Sequence, residues 1–222
     1  ISALCKGGGI HAQHGWWVSS HRLRFCSKNL LANFIIRPLT VDNQEPKGIP
    51  MHFERHYDRT YARLTRPFRG RPWAVRGLFL LNGALVVLMY IAYPLLLWQL
   101  YTQGGLASPG LRKAFWIPAI SFLLLTLVRS RINRPRPYEA WPITPLIPRN
   151  KQGESFPSRH VFSSTIIAMT YLYFHPPVGA AFLLVSLISA LVRVLAGVHY
   201  PTDVGAGMMA GIGAGIFLWA IA

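Results

Sequence analysis

The stretch VGAAFLLVSLISALVRVLAGVHYPTDVGAGMMAGIGAGIFLWAIA, residues 178–222, decides the fold. It contains two apolar runs, Val178–Leu195 and Val204–Ala222, each close to the roughly 20 residues that a helix needs to cross a bilayer. Glycines recur at four-residue spacing along the second run, a pattern that lets membrane helices approach closely. We therefore predict two packed transmembrane helices joined by a short polar loop. The glycines of this ridge are Gly207, Gly211 and Gly215.

Three further apolar runs precede this stretch: Leu78–Tyr101, Ala114–Val128 and Val161–Phe174. The first is long enough to span a membrane outright, whereas the other two are shorter. Hydroxyl residues at 163–165 indicate that the third run turns one face toward protein. Since a chain in lipid must satisfy its backbone hydrogen bonds internally, the five runs predict an all-α, polytopic membrane helical bundle with about five transmembrane helices.

The composition agrees with a multi-pass protein of the cell membrane. Of the 222 residues, 52% are hydrophobic and 14% are charged, and the mean hydropathy is +0.31. The formal net charge of +16 comes from basic residues clustered between apolar runs, which is typical of segments flanking membrane helices rather than of a nucleic-acid-binding domain. Cys5 and Cys26 both precede these runs, so we expect neither a zinc site nor a disulfide in the membrane part.

The chain divides into three parts. Residues 78–222 form the predicted membrane domain. Residues 51–77 combine arginines with aromatic residues, which predicts a segment lying at the membrane interface, with a flexible basic tail as the alternative. Residues 1–50 show neither helical nor strand periodicity, and we hold two explanations open: a disordered or surface-lying extension, or sequence upstream of a translation start at Met51.

Few charges follow the third run. After His160 only Arg193 and Asp203 carry a full charge, and they flank His199 in the loop between the last two runs. Charged groups near membrane spans are usually functional or paired. Two crossings separate this loop from His160, and the second run ends at Arg129, so the topology gathers polar segments on one side of the membrane. These segments are 129–137, 157–160 and 193–203.

The gathered residue types suit a phosphate group. Guanidinium groups match phosphate oxygens, and two histidines can divide the attack on phosphorus from the protonation of the departing oxygen. Asp203 is available to orient His199. No cluster of carboxylates is present to hold magnesium, so we expect a route without metal. The candidate phosphate ligands are Arg129, Arg136, Arg159, Arg193 and Ser158.

Other polar and aromatic residues of this region are interpreted as contacts to the membrane surface. The basic ones anchor helix ends to lipid headgroups, and the aromatic ones lie at the membrane interface. The anchors are Arg131, Arg134, Arg149 and Lys151, and the interface aromatics are Trp141 and Tyr200.

The three segments resemble the signature of the type 2 phosphatidic acid phosphatase superfamily. That signature has Lys, six residues and Arg-Pro; then Pro-Ser-Gly-His; then Ser-Arg, five residues, His, three residues and Asp. A register on Arg134-Pro135 would place Leu127 at the cation position, so we reject it. The matching elements are Arg129 with Arg136-Pro137, Pro157-Ser158-Arg159-His160, and Val192-Arg193 with His199 and Asp203.

The resemblance implies a role for each matched residue. His199 is the nucleophile that forms a phosphohistidine, Asp203 orients it, and His160 protonates the leaving group. No metal or cofactor is required. The phosphate is held by Arg129, Arg136, Ser158, Arg193 and the backbone amide of Arg159.

The resemblance also implies substrates. The five-span layout is similar to small bacterial members that act on undecaprenyl pyrophosphate, with phosphatidate or phosphatidylglycerophosphate as alternatives. Vanadium-dependent haloperoxidases share the constellation, but they are soluble. A non-catalytic membrane protein that binds lipid phosphate is the alternative from another class.

Three residues depart from the signature. Arg129 replaces Lys and keeps the charge, and Val192 replaces Ser at what we expect to be a packing position. Arg159 replaces Gly, which keeps the backbone amide and adds a cation. We hypothesise that the Arg159 side chain contacts a second phosphate and favours a pyrophosphate, the alternative being a side chain in solvent.

The basic segment and the resemblance make different predictions about the side of the membrane. Basic residues at 51–77 favour a cytoplasmic N-terminal flank and hence a cytoplasmic site. Similar lipid-carrier phosphatases imply an outward site. In either case the topology predicts that the basic segment and the site share one side.

Overall fold

The computed structural model describes residues 56–220, all of which belong to one compact unit. The regular structure in this part of the chain is helical, which confirms the predicted all-α bundle. The expectations for residues 1–50 lie outside the described residues. The helices are α1 (Tyr57–Thr65), α2 (Pro72–Gly104), α3 (Pro109–Ile132), α4 (Pro137–Ala140), α5 (Arg159–Phe174), α6 (Pro176–Leu195) and α7 (Pro201–Ala220).

Proline marks the start of most helices. It is the first residue of α2, α3, α4, α6 and α7, where its missing N–H costs no helical hydrogen bond. His175 alone separates α5 from α6, so the two helices are joined by a tight turn. Helix α3 ends at Ile132 and is followed by Asn133, whose φ of 41° lies in the left-handed region that asparagine tolerates better than most residues.

Four helical segments among the described residues are long and apolar enough to cross a membrane. They are Pro72–Gly104, Pro109–Ala140, Pro176–Leu195 and Pro201–Ala220. Their outer surfaces expose large apolar side chains, as lipid-facing surfaces do. The protein is therefore a multi-pass membrane protein. Examples of these exposed side chains are Leu80, Trp98, Leu123, Leu184 and Phe217.

The fifth predicted span, α5, lies among α2, α3, α6 and α7. Its 16 residues cover about 24 Å, less than the apolar core of a bilayer. Its hydroxyl face is buried: the Oγ of Ser186 on α6 lies 2.8 Å from Ser164 Oγ and 2.6 Å from Thr165 Oγ1. The predicted protein-facing surface of α5 is confirmed. Because this surface contacts other helices and not lipid, it can carry hydroxyl side chains.

Helix α7 packs on α5 through the glycine ridge. A Cβ atom added at any of the three glycines would overlap the facing helix, so only glycine permits this close approach. The predicted packing role is confirmed. The added Cβ would lie 2.6 Å from Ser158 O at Gly207, 2.7 Å from Thr165 Cβ at Gly211, and 2.4 Å from Met169 Cβ at Gly215.

Helix α1 is an ordered helix that docks on one end of the bundle. Tyr57, Tyr61 and Thr65 form its buried face. Tyr61 Oη donates to Leu195 O and accepts from Leu146 N, each at 3.1 Å. Residues 57–65 are therefore not a flexible tail, while their position at the membrane interface stays a prediction.

The helix ends divide between two sides of the bundle. The starts of α2, α5 and α7 and the ends of α3 and α6 lie on the side where α1 docks. At the other side, a Cβ on Gly110, at the start of α3, would lie 3.3 Å from the ring of Phe174, at the end of α5. Helix α5 thus connects the two sides of the bundle, although it is the shortest of the five long helices.

Candidate active site

The three predicted segments meet where α1 docks. Ser158 N, at the start of α5, donates to Asp203 O in α7 at 2.9 Å. Arg136 Nη1, after α3, donates to Val198 O in the α6–α7 loop at 3.3 Å. Hydrogen bonds therefore join all three segments, as the topology predicted.

His199 and Asp203 form a buried pair. His199 is 2% exposed, and its Nδ1 lies 3.5 Å from Oδ2 of the fully buried Asp203. The same carboxylate oxygen accepts from Tyr200 N at 3.0 Å and from Ser155 Oγ. A carboxylate beside Nδ1 sets the orientation of the ring and leaves Nε2 available for chemistry.

The surroundings of His199 determine its protonation. Burial lowers the pKa of His199 below the ordinary histidine value, and the hydrogen bond to Asp203 acts in the opposite direction. Burial is the larger effect, so the imidazole is neutral at pH 7. A neutral imidazole is the form that a nucleophile requires.

Arg134 is a partner of Asp203, so its interpretation as a lipid anchor is wrong. Its Nη1 lies 2.8 Å from Asp203 Oδ1 and 3.0 Å from Thr202 Oγ1. The left-handed residue at the end of α3 turns the chain toward α7, which places this arginine on the site. Nothing in the sequence pattern separates it from its neighbour Arg131, which is exposed.

Tyr200 is also buried within the protein, so its interpretation as a membrane-interface aromatic is wrong. The centroid of its ring lies 4.9 Å from that of Tyr57 on α1 and 4.2 Å from the Arg134 guanidinium. Trp141 is half-buried beside Tyr57. The α6–α7 loop is therefore held between α1 and the end of α3.

Three buried arginines surround the site without a carboxylate partner. Arg129, Arg136 and Arg193 are 3%, 7% and 4% exposed, and no ion pair within residues 56–220 involves them. The Ser158 hydroxyl and the Nε atoms of Arg129 and Arg193 are buried, and none of them has a hydrogen-bond partner within residues 56–220. Buried polar atoms are normally bonded, and a buried unpaired ion costs several kcal/mol. The cluster fits an anion.

Two of these arginines also hold the segment that precedes Ser158. The terminal nitrogens of Arg129 donate to the backbone carbonyls of Glu154 and Pro157. Arg136 Nε donates to Gly153 O at 3.0 Å. The structure thus gives both arginines a positioning role, and their contact with phosphate stays a prediction.

A groove of about 600 Å³ lies between α2, α3 and α5. His160 and Arg159 line it at the start of α5, and the remaining wall is mainly apolar. The Arg159 guanidinium lies 5.7 Å from the centroid of the Phe122 ring. Its side chain therefore follows the groove wall instead of pointing into bulk solvent. Further wall residues include Met89, Tyr93 and Phe115.

Of the two remaining predicted anchors, one is exposed and the other is paired within the protein. Arg149 is exposed, as a headgroup anchor would be, whereas Lys151 pairs with Glu154 at 2.8 Å. That hydrogen bond lowers the pKa of Glu154. Val192 is buried against Leu78, which confirms its packing role. Ser155, which binds Asp203, was missed although it lies only three residues before Ser158.

The fold is a multi-pass helical bundle with a buried histidine–carboxylate pair at one end. A comparison of the sequence with known protein families shows which family has these features. Residues 110–222 match the PAP2 superfamily. The match covers half of the chain, so the protein belongs to that superfamily and the resemblance is confirmed.

Two curated relatives come from Bacillus. Undecaprenyl-diphosphatase BcrC of Bacillus subtilis (strain 168) is 28% identical over 115 residues, 51% of this chain and 59% of the relative. Bacitracin transport permease protein BcrC of Bacillus licheniformis is 29% identical over 84 residues, 38% of this chain and 41% of the relative. The chain thus matches about half the length of these relatives.

Two crystal structures share the fold. LpxE of Aquifex aeolicus superposes with a TM-score of 0.57 at 21% identity, covering 73% of this chain and 93% of its own. The PAP2-type phosphatidylglycerolphosphate phosphatase of Bacillus subtilis gives a TM-score of 0.54 at 19% identity, covering 74% and 85%. At these identities the likeness is one of fold.

Proposed function

We propose that the protein is an integral-membrane lipid phosphatase that hydrolyses a phosphate or pyrophosphate monoester of a lipid through a phosphohistidine intermediate. The observation that carries this proposal is a set of buried arginines, Arg129, Arg136 and Arg193, that have no carboxylate partner among residues 56–220. Near them lie the neutral His199 and the Ser158 hydroxyl, which has no hydrogen-bond partner in the same residues. Phosphate has the charge and the oxygen geometry that such a set would bind.

The proposed first step transfers phosphorus to the enzyme. His199 Nε2 attacks phosphorus, and the bond from phosphorus to the leaving oxygen breaks while His160 donates a proton to that oxygen. The Asp203 carboxylate stabilises the positive charge that develops on the ring. Arginines and the Ser158 hydroxyl bind the non-bridging oxygens, whose charge they stabilise in the transition state.

The second step releases phosphate. His160, now neutral, takes a proton from a water molecule that attacks the phosphohistidine, and the bond from phosphorus to Nε2 breaks. This returns both histidines to their starting protonation. Within residues 56–220 no group of three or more His, Cys, Asp or Glu side chains could hold a metal ion, so the proposed route relies on the arginines.

The groove supports a lipid as the substrate. Its mainly apolar wall would hold a hydrocarbon chain, while the headgroup phosphate would lie near His160, a lining residue that is close to Arg193. We propose undecaprenyl pyrophosphate because a relative at 28% identity is named an undecaprenyl-diphosphatase. Phosphatidate and phosphatidylglycerophosphate are the alternatives.

Phosphate release in detergent, with EDTA present, tests the proposal. The substrates are undecaprenyl pyrophosphate, phosphatidate and phosphatidylglycerophosphate, and the variants are the wild type and His199→Gln. We expect release by the wild type and a loss of at least about 10³-fold in the variant. His175→Gln is the matched control, because that histidine lies in the turn at the opposite end of α5.

A second measurement tests the intermediate. Enzyme mixed with a lipid substrate labelled with ³²P at its terminal phosphate and quenched rapidly should carry an acid-labile phosphoryl group, which His199→Gln should lack. Binding of lipid phosphate without release from any of the three lipids would contradict the proposal and favour the non-catalytic binding protein.

A further inference from the structure

We propose that the Arg159 side chain binds the phosphate that links the lipid to the reacting terminal phosphate, so that it determines specificity for lipid diphosphates. The proposal rests on the function proposed above and adds a second phosphate subsite to it. Arg159 lies close enough to Arg129 for their charges to interact, and His160 is likewise close to Arg193. Both Arg159 and His160 line the groove, so we place the subsite between the groove and the arginine cluster.

The position of Arg159 follows from the start of α5. Ser158, the residue before the helix, is fully buried, whereas Arg159 is the first helical residue and lines the groove. A terminal phosphate bound by the arginines and a hydrocarbon chain in the groove leave one place for the linking phosphate. That place is the mouth of the groove, beside the Arg159 guanidinium and His160.

The contacts of Arg159 leave its guanidinium suited to an anion. It packs over the Phe122 ring at 5.7 Å, a cation–π contact that supports one face and leaves the N–H edges accessible. Within residues 56–220 no ion pair involves Arg159, and the nearby Glu154 carboxylate is bonded to Lys151 at 2.8 Å. A phosphate would therefore be its first strong partner among the described groups.

The subsite has a chemical consequence for the first step. With a diphosphate, attack by His199 breaks the bond from the terminal phosphorus to the bridging oxygen, and the electron pair stays on the departing lipid monophosphate. Arg159 would stabilise the charge that this oxygen and its phosphate gain. With a lipid monophosphate the leaving group is an alcohol, so the reaction depends more on the proton from His160.

Farnesyl pyrophosphate and farnesyl phosphate test the subsite because they differ only in the second phosphate. We expect Arg159→Gln to lower kcat/KM for the diphosphate by about 10- to 100-fold, the loss typical of a hydrogen bond to a charged group. The loss for the monophosphate should be smaller, shifting the ratio of the two by about 10-fold or more. Arg131→Gln is the matched control, an exposed arginine at the end of α3.

Equal losses on both substrates, or no loss on the diphosphate, would overturn the proposal. His160→Gln should shift the ratio in the opposite direction, because the alcohol leaving group requires the proton.

A binding measurement separates this proposal from the function itself. Inorganic pyrophosphate should raise the unfolding temperature of the wild type more than inorganic phosphate does, and Arg159→Gln should abolish the difference. Wild type that binds in this way without releasing phosphate would sink the proposed function and keep the subsite. Equal effects of the two anions on wild type and variant would sink the subsite alone.

Discussion

Arg134 Nη1 lies 2.8 Å from Asp203 Oδ1, and this ion pair connects the end of α3 to the first turn of α7. Asp203 is fully buried, while the Arg134 side chain is 14% exposed. The other carboxylate oxygen, Oδ2, faces His199 Nδ1. The group that orients the proposed nucleophile is therefore itself held by a residue from a different helix end.

Replacing Arg134 should misplace Asp203 without removing any phosphate ligand that we propose. We expect Arg134→Met to lower kcat by roughly 10-fold or more, with a smaller change in KM, because one partner of a buried ion pair is left alone. The unfolding temperature in detergent should fall as well. Phosphate release and a thermal melt measure the two effects.

The control for this pair is Arg131→Met, which removes an exposed cation from the same end of α3. Arg134→Lys should recover part of kcat because it keeps the charge on Asp203. Identical behaviour of Arg134→Met and Arg131→Met would contradict the positioning role.

Ser158→Ala should separate activity from stability. The hydroxyl is buried without a hydrogen-bond partner among the described residues, so its removal should leave the unfolding temperature unchanged or raised. The loss of a donor to phosphate should lower kcat/KM by about 10²-fold. Thr170→Val is the control, since that buried hydroxyl bonds only within α5, to Ile166 O at 2.8 Å. A less stable but fully active Ser158→Ala would contradict the role.

The buried imidazole should make stability depend on pH. Because the folded-state pKa of His199 lies below the unfolded value of about 6.5, the unfolded chain binds the proton first as pH falls. This contribution to the free energy of unfolding is complete above about pH 6.5 and is lost progressively below it. The unfolding temperatures of wild type and His199→Gln should therefore differ by an amount that changes between pH 8 and 5.5. A constant difference would show that His199 is not buried in its neutral form.

The glycine ridge should be intolerant of side chains. We expect Gly211→Val to destabilise the protein by about 1–3 kcal/mol, since its Cβ would start 2.7 Å from Thr165 Cβ and force α5 and α7 apart. Activity should fall too, because the same contact holds Asp203 beside Ser158. Gly213→Ala is the control, as a Cβ there meets nothing within 4 Å. Thermal melts that rank the two variants equally would contradict the packing role.

The lengths and order of the apolar runs were enough to predict the bundle. The described part of each run lies within one of the five long helices, although α2 begins at Pro72, six residues before the apolar run starts at Leu78. The glycine spacing predicted the contact between α5 and α7, and the hydroxyl residues at 163–165 predicted the buried face of α5. These features could be predicted because the thickness of the bilayer sets the length of an apolar run, and because the spacing of small or polar residues along a helix shows which face is buried.

The parts of the site that escaped prediction depend on contacts between distant segments. Arg134 reaches Asp203 because the backbone turns at Asn133, and no composition rule distinguishes this arginine from Arg131. Tyr200 was expected at the membrane interface because it lies in a polar loop, yet α1 covers it through Tyr57. The signature pointed to His199 as the proposed nucleophile, and only the fold revealed what holds the carboxylate beside it.

The short central helix also determines which compartment each end of the bundle faces. Counting only the four hydropathic segments gives an even number of crossings, which would put Tyr57 and Ala220 in the same compartment. Helix α5 adds a crossing that lipid barely touches, so these two residues face opposite compartments. We therefore expect a reporter enzyme fused after α7 to be active only in the compartment opposite the proposed active site.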